Sequence, residues 1–174
     1  MTNAPQRPFR LVAVNAGVND PSATKLLAER LTQSVEANAQ RDGRTVEALR
    51  LDLRELLPEL SGALASGHLG PMFGKAVEAL ASADGIVAAT QIYKAGMSGL
   101  FSSFFQVLDN DLLIAKPLLL GATAGTARHA LAVDGQLRSM FAYLRTMTAP
   151  TSVFASTEDW QDSTLGQRID RAAR

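Results

Sequence analysis

Three short stretches of this chain combine small residues with hydrogen-bonding groups at spacings suited to holding a polar ligand. The first, NAGVNDPSAT at 15–24, offers Gly17 for a tight turn and hydroxyls at Ser22 and Thr24. Those hydroxyls sit where a helix begins. Free N–H groups and the helix dipole favour an anion at such a place, so a phosphate can be held there without Lys or Arg. A Ser or Thr before a helix also serves as a plain N-cap. The second stretch, TQIYKAGMSG at 90–99, opens with Thr90, Gln91, Ile92, Tyr93 and Lys94. Ile92 and Tyr93 can cover a flat ring, and Lys94 can steady a negative charge. Gly96 and Gly99 let backbone come close to a ligand, or simply turn the chain. The third, GATAGT at 121–126, supplies Ala122, Thr123, Ala124, Gly125 and Thr126. Small residues there leave backbone N–H groups to read the polar edge of a heterocycle or to hold an oxyanion. A tight turn with a Thr cap accounts for them equally. His129, one turn further, shares a helix face with Gly125; it is either a ligand contact or a surface or interface histidine.

Other chemistry is poorly provided for. The chain has 174 residues, no cysteine and two histidines, His68 and His129, so thiolate sites are excluded and a multi-histidine metal site is not expected. Lys plus Arg and Asp plus Glu both number 17, which argues against a non-specific nucleic-acid binder. Neither a Walker A lysine pattern nor a Gly-x-Gly-x-x-Gly fingerprint is present. Asp109, Asn110 and Asp111 resemble a paired-carboxylate site, but their place at a helix end reads as a solvated turn. Arg128 and His68 read as solvent-facing. Phe101, Phe104 and Phe105 read as core. Trp160 is expected to pack the C-terminal segment or to make a dimer contact. The apolar run at 11–14 is too short for a signal-peptide core, and no run approaches a membrane span, so a cytoplasmic protein is expected.

The elements that position these stretches follow from hydrophobic periodicity. Continuous apolar runs at 9–15, 85–90 and 116–121 read as buried strands; 45–51 and 151–155 are two further strands. Leu27, Leu31, Val35 and Ala39 recur every fourth residue and predict a helix over 22–39, with Gly43 as its stop. Further helices are predicted over 72–81, from 99 to about 108, over 126–145, and from about 165 to the end. Residues 52–71 carry Pro58, Gly62, Gly67, Gly70 and Pro71 and read as a long loop with one short helical turn. Strands alternating with helices imply an α/β three-layer sandwich. It has a five-stranded parallel sheet in the flavodoxin-like order 2-1-3-4-5, with helices on both faces. A flexible leader at 1–8 precedes one domain at 9–174. In that order the three donor-rich stretches follow strands one, three and four, where open parallel sheets bind ligands.

GIVAATQIYKAGMSGL at 85–100 resembles the NAD(P)H-dependent FMN reductases of the flavodoxin-like superfamily, and GATAGTARHAL at 121–131 is similar to the family's third flavin loop and the helix it opens. LRSMFAYLR at 137–145 and PTSVFASTEDW at 150–160 resemble an actinobacterial branch that partners luciferase-like monooxygenases. The resemblance implies that Ser22 and Thr24 hold the FMN phosphate. It places 90–94 against the isoalloxazine and has 123–126 donate to its pyrimidine edge. NAD(P)H would stack on the exposed flavin face and pass hydride to N5, and reduced FMN would leave for a flavin-dependent monooxygenase. No catalytic acid is implied. A homodimer or homotetramer is expected, joined through the helices that begin at Gly99 and Thr126. The rival reading on the same scaffold is a quinone or azo-compound reductase with tightly held FMN. A flavodoxin-like electron carrier fits poorly with zero net charge, and a scaffold without flavin is the third alternative. Three positions depart from the family. Gln91 stands where Pro is common and Ala124 where Gly is common; Gly135 stands where some relatives have an aromatic. If position 124 required positive φ, Ala would cost roughly 1 kcal/mol there.

Overall fold

The computed structural model describes residues 7–174. The expected positions 1–6 of the leader lie outside the described residues. Arg7 is tied down: its guanidinium donates to both oxygens of Asp84 at 2.7 Å.

The chain begins with β1 (Phe9–Asn15), α1 (Ala23–Arg41) and β2 (Val46–Asp52). Gly43 takes φ +72 just past α1, as its stop position requires. Then come α2 (Leu57–Ser66), α3 (Pro71–Ser82), β3 (Gly85–Tyr93), β4 (Gly96–Met97), α4 (Gly99–Gln106) and β5 (Pro117–Thr123). The last elements are α5 (Arg138–Tyr143), β6 (Met147–Thr148), β7 (Val153–Ala155) and α6 (Thr164–Ala172). The sheet runs β2-β1-β3-β5-β6, with β4 paired antiparallel to β3 and β7 paired to β5. Its core is the expected parallel order. The strand count rises to seven because β4 is a hairpin appendage and the fifth strand is divided.

That division has a local cause. β6 pairs with Pro117 and Leu118, and β7 pairs with Gly121 to Thr123. Pro150 lies between them and has no N–H for the ladder. The Arg138 guanidinium fills the gap, donating to the carbonyls of Ala149 and Pro150 and to the Ser152 hydroxyl at 2.6–2.8 Å.

Strand alternation separates two cores. Val12, Val14, Ile86, Ala88, Leu118 and Leu120 face α2 to α5; Leu11, Ala13, Val87 and Leu119 face α1 and α6. The phenylalanines of α4 are fully interior, as their spacing predicts. α1 lies close on the sheet at Gly121, where a Cβ would sit 2.8 Å from Leu31 Cδ1 and 3.2 Å from Leu27 Cδ2.

Two expected elements differ. Residues 52–71 are mostly helical: a 3₁₀ turn at Leu53–Leu56 leads into α2. Pro58 stands in the first turn of α2, where no N–H is needed, and Gly67 ends the helix at φ +71. The long helix expected over 126–145 is broken into a 3₁₀ turn (Ala127–His129), a wide π turn (Val133–Leu137) and α5. Gly135 lies within the wide turn and weakens a regular helix there by about 1 kcal/mol relative to Ala.

Candidate functional site

The loops after β1, β3 and β5 meet beyond the carboxyl ends of these adjacent strands. The chain order reverses between β1 and β3, which makes this the switch point of the sheet.

After β1, the Asn15 side-chain oxygen accepts from the Gly17 N–H at 2.9 Å and folds the loop back. Gly17 is required for closeness rather than for φ: a Cβ there would lie 2.0 Å from Ser22 Oγ. Ser22 Oγ caps α1 by accepting from the Lys25 N–H at 3.2 Å. Its capping role therefore holds, and its hydroxyl proton remains available. Thr24 Oγ1 and Thr123 Oγ1 lie 2.7 Å apart and buried, a direct link between the first and third loops.

β3 continues past Thr90 to Tyr93, so Thr90 and Gln91 face opposite sides of the sheet. Thr90 is turned away from α1. Its hydroxyl meets Ser98 Oγ at 3.1 Å, and Ser98 caps α4. Gln91 pairs in register with Thr123 and shares its face. It is 8% exposed, and its Oε1 has no hydrogen-bond partner among the described residues. Ile92 is buried and Tyr93 is 52% exposed. Lys94 and Ala95 form the hairpin turn at φ +50 and +65. The turn thus takes its left-handed positions from these two residues rather than from Gly96 or Gly99. Gln136 Nε2 secures it by donating to the Ala95 carbonyl at 2.7 Å.

After β5, Ala124 and Gly125 have ordinary φ, so Ala124 carries no left-handed strain. The Ala124 N–H is already committed to the Ala155 carbonyl at 3.1 Å. Donation to a ligand in the cleft from this loop falls to Gly125.

A fourth wall comes from the segment after β7. Asp159 accepts from the Ser156 N–H and hydroxyl, both at 2.6 Å, and pairs with Arg168. Burial pushes the Asp159 carboxyl up, but the Ser156 hydrogen bonds and the Arg168 charge outweigh it and hold it below the ordinary value. This arrangement sets Trp160 beside α1, with the Arg30 guanidinium 5.2 Å from its ring centre.

These walls enclose a cleft of about 340 Å³, lined by Ser22, Thr24, Gln91, Ile92, Tyr93, Thr123, Ala124 and Gly125 of the expected residues. Gly17, Thr90, Lys94, Ala122, Thr126 and His129 do not line it. Gly17 lies beneath Ser22. Thr90 and Ala122 face the other core, by strand parity. Lys94 is in the turn beyond the strand. Thr126 is exposed and His129 half-buried, and they bond each other, Oγ1 to Nδ1, at 3.3 Å. The sequence reading missed Asn19, Ala23, Thr157 and Trp160. The first two lie inside the stretch it had singled out. Trp160 is brought in only by tertiary packing. The carboxylates of the 109–111 turn have protein partners: Asp109 accepts from the Asp111 N–H, and Asp111 pairs with Arg145.

Comparison with known proteins gives this cleft a context. Residues 9–161 match the family model described as NADPH-dependent FMN reductase. The chain belongs to that family. The reductase is 33% identical to "FMN reductase (NADPH)" of Pseudomonas aeruginosa over 155 residues, covering 89% of this chain and 81% of that one. It is 31% identical to "NADH-dependent FMN reductase SfnF" of Pseudomonas fluorescens over 156 residues, covering 90% and 81%. A solved structure of an oxidoreductase from Corynebacterium diphtheriae superposes with a TM-score of 0.93 at 36% identity, covering 97% of this chain and 94% of that one. Membership makes the reductase an oxidoreductase that works with FMN and NAD(P)H.

The residues of the cleft fit FMN. The N–H groups of Ala23 and Thr24 open α1 with no acceptor among the described residues, a place for the phosphate. The buried Gln91 Oε1 lacks a partner at the floor, and apolar Ile92 and Ala124 flank it.

Proposed function

We propose that the cleft holds FMN during reduction by NAD(P)H, and that the reduced flavin leaves for a flavin-dependent monooxygenase. One observation carries the reading: three loops from the switch point converge on a single cleft with a helix N-terminus at one end and apolar walls at the other. Ser22, Ala23 and Thr24 would hold the phosphate. Ile92 and Tyr93 would lie against the ring system, and the Gly125 N–H would face its pyrimidine edge. Thr157 and Trp160 close the outer side. FMN bound here supplies the hydride acceptor at N5. The protein contributes binding, orientation and exclusion of water, so no side-chain acid or base is assigned.

The resemblance of 137–145 and 150–160 to monooxygenase-partnered reductases supports release of reduced FMN. A homodimer or homotetramer is supported by Leu131 and Tyr143, large apolar side chains 81% and 70% exposed on the segment after Thr126. The helix that begins at Gly99 contributes no comparable exposed residue. No helix among the described residues is long and apolar enough to cross a membrane, and a cytoplasmic location is proposed.

The deciding experiment is steady-state oxidation of NADH and NADPH by the purified protein with FMN varied from none to excess. Turnover that is negligible without FMN and saturates with it is expected. Retained flavin and a requirement for a quinone or dye would favour the rival reductase. Absence of both turnover and flavin binding would overturn the reading.

A further inference from the structure

Gln91 departs from everything else at the cleft floor. It is more than nine-tenths buried, yet its Oε1 has no partner among the described residues. Its ladder neighbour Thr123 is engaged with Thr24 at 2.7 Å, so neither hydroxyl turns to it. Burying an amide without a partner is unfavourable, and an aliphatic side chain at the end of β3 would avoid the cost altogether. Gln91 shares the cleft lining with Ser22, Ala23 and Thr24 of the α1 N-terminus and with Ile92, Tyr93 and Gly125, and its ladder partner Thr123 touches Thr24. A flavin nucleotide spanning the cleft would cross it with the hydroxylated chain that joins ring to phosphate. The amide nitrogen can donate to a hydroxyl of that chain, and rotation of the amide brings the sealed Oε1 out to accept from one, whereas an amide oxygen repels a phosphate.

We propose that Gln91 binds the polyol chain of the flavin and is the residue by which this reductase senses that chain, as distinct from the ring or the phosphate. The proposal rests on the cleft being the FMN site. Gln91 makes no covalent or redox contribution; it supplies the partner atoms that the protein leaves unpaired.

The test compares wild type with Gln91→Met and Gln91→Leu, two apolar variants of similar size. Binding of FMN, riboflavin and lumiflavin is measured by fluorescence titration, and the melting temperature of the flavin-free protein is measured alongside. Lumiflavin carries the ring without the polyol, and riboflavin carries the polyol without the phosphate. Affinity for both FMN and riboflavin is expected to fall about tenfold, as loss of one good hydrogen bond implies. Lumiflavin affinity stays unchanged, and the melting temperature stays level or rises because an unpaired buried amide is removed. Equal loss for all three flavins, loss confined to FMN, no loss at all, or a lowered melting temperature would each overturn the proposal. A wild-type protein that binds none of the three would instead remove the flavin-site reading beneath it.

Discussion

On one face of the sheet, Phe73, Phe101, Phe104, Phe105 and Phe141 form a connected aromatic cluster with ring centres 4.8–6.1 Å apart. On the other face, the buried core is aliphatic and small: Leu27 and Leu31 of α1, Leu165 and Ile169 of α6, and the strand residues beneath them. Polar contacts lace that second face. Ser34 donates to Asp170 at 2.9 Å, Asn38 reaches the Ala173 carbonyl, and Thr24 meets Thr123. The cleft opens at the end of this thinner face. Large interlocked rings give non-directional burial and a rigid backing. Hydroxyls and amides give direction. The first face supplies stability, and the second trades part of it for groups aimed at a ligand.

Substitutions on the two faces should therefore separate stability from binding. Phe104→Ala empties the aromatic cluster and is expected to cost about 3–5 kcal/mol in urea unfolding, with flavin affinity of the folded fraction unchanged. Gly121→Ala forces a methyl against the fully buried Leu27 and Leu31. It should cost about 1–3 kcal/mol and also weaken FMN, because α1 must lift away from Thr123. If FMN binding survives intact, the close seat of α1 does not position the site. Asp159→Ala removes the anchor of the Trp160 segment, with an expected loss of about 1–2 kcal/mol and weaker FMN binding. The folded Asp159 carboxyl lies below its ordinary value, so this contribution is complete above the ordinary carboxylate range. It fades as pH falls through the depressed value, and the variant and wild type should converge in acid. Ala95→Gly is the smallest and opposite effect. It relieves a left-handed residue and should stabilise by about 0.5–1 kcal/mol, visible as a raised melting temperature.

The sheet and its order were legible because buried parallel strands leave continuous apolar runs, as at 85–90 and 116–121. The three loops were legible because donor-rich small residues stood at the ends of those runs. Strand parity was not. With β3 ended at Thr90, Thr90 and Gln91 look equally placed; only its extension to Tyr93 sends one to each face. α2 was hidden by Pro58 and Gly62, which read as breakers although Pro58 falls in the first helical turn. The break in 126–145 was marked only by Gly135, and the apolar spacing on either side of it suits an unbroken helix. Trp160 reaches the cleft through Asp159, Arg168 and Arg30, none of which the local sequence pairs with it.

The hydroxyl bridge between Thr24 and Thr123 joins residues 99 positions apart, and the cleft wall is complete only when Trp160 is in place. During synthesis the β1 loop emerges early but has nothing to close against until β5 has been inserted beside β3. A ribosome-bound chain must therefore extend past Trp160 before it presents a full cleft. Shortened products ending ahead of β7 would lack the wall that Thr157 and Trp160 supply.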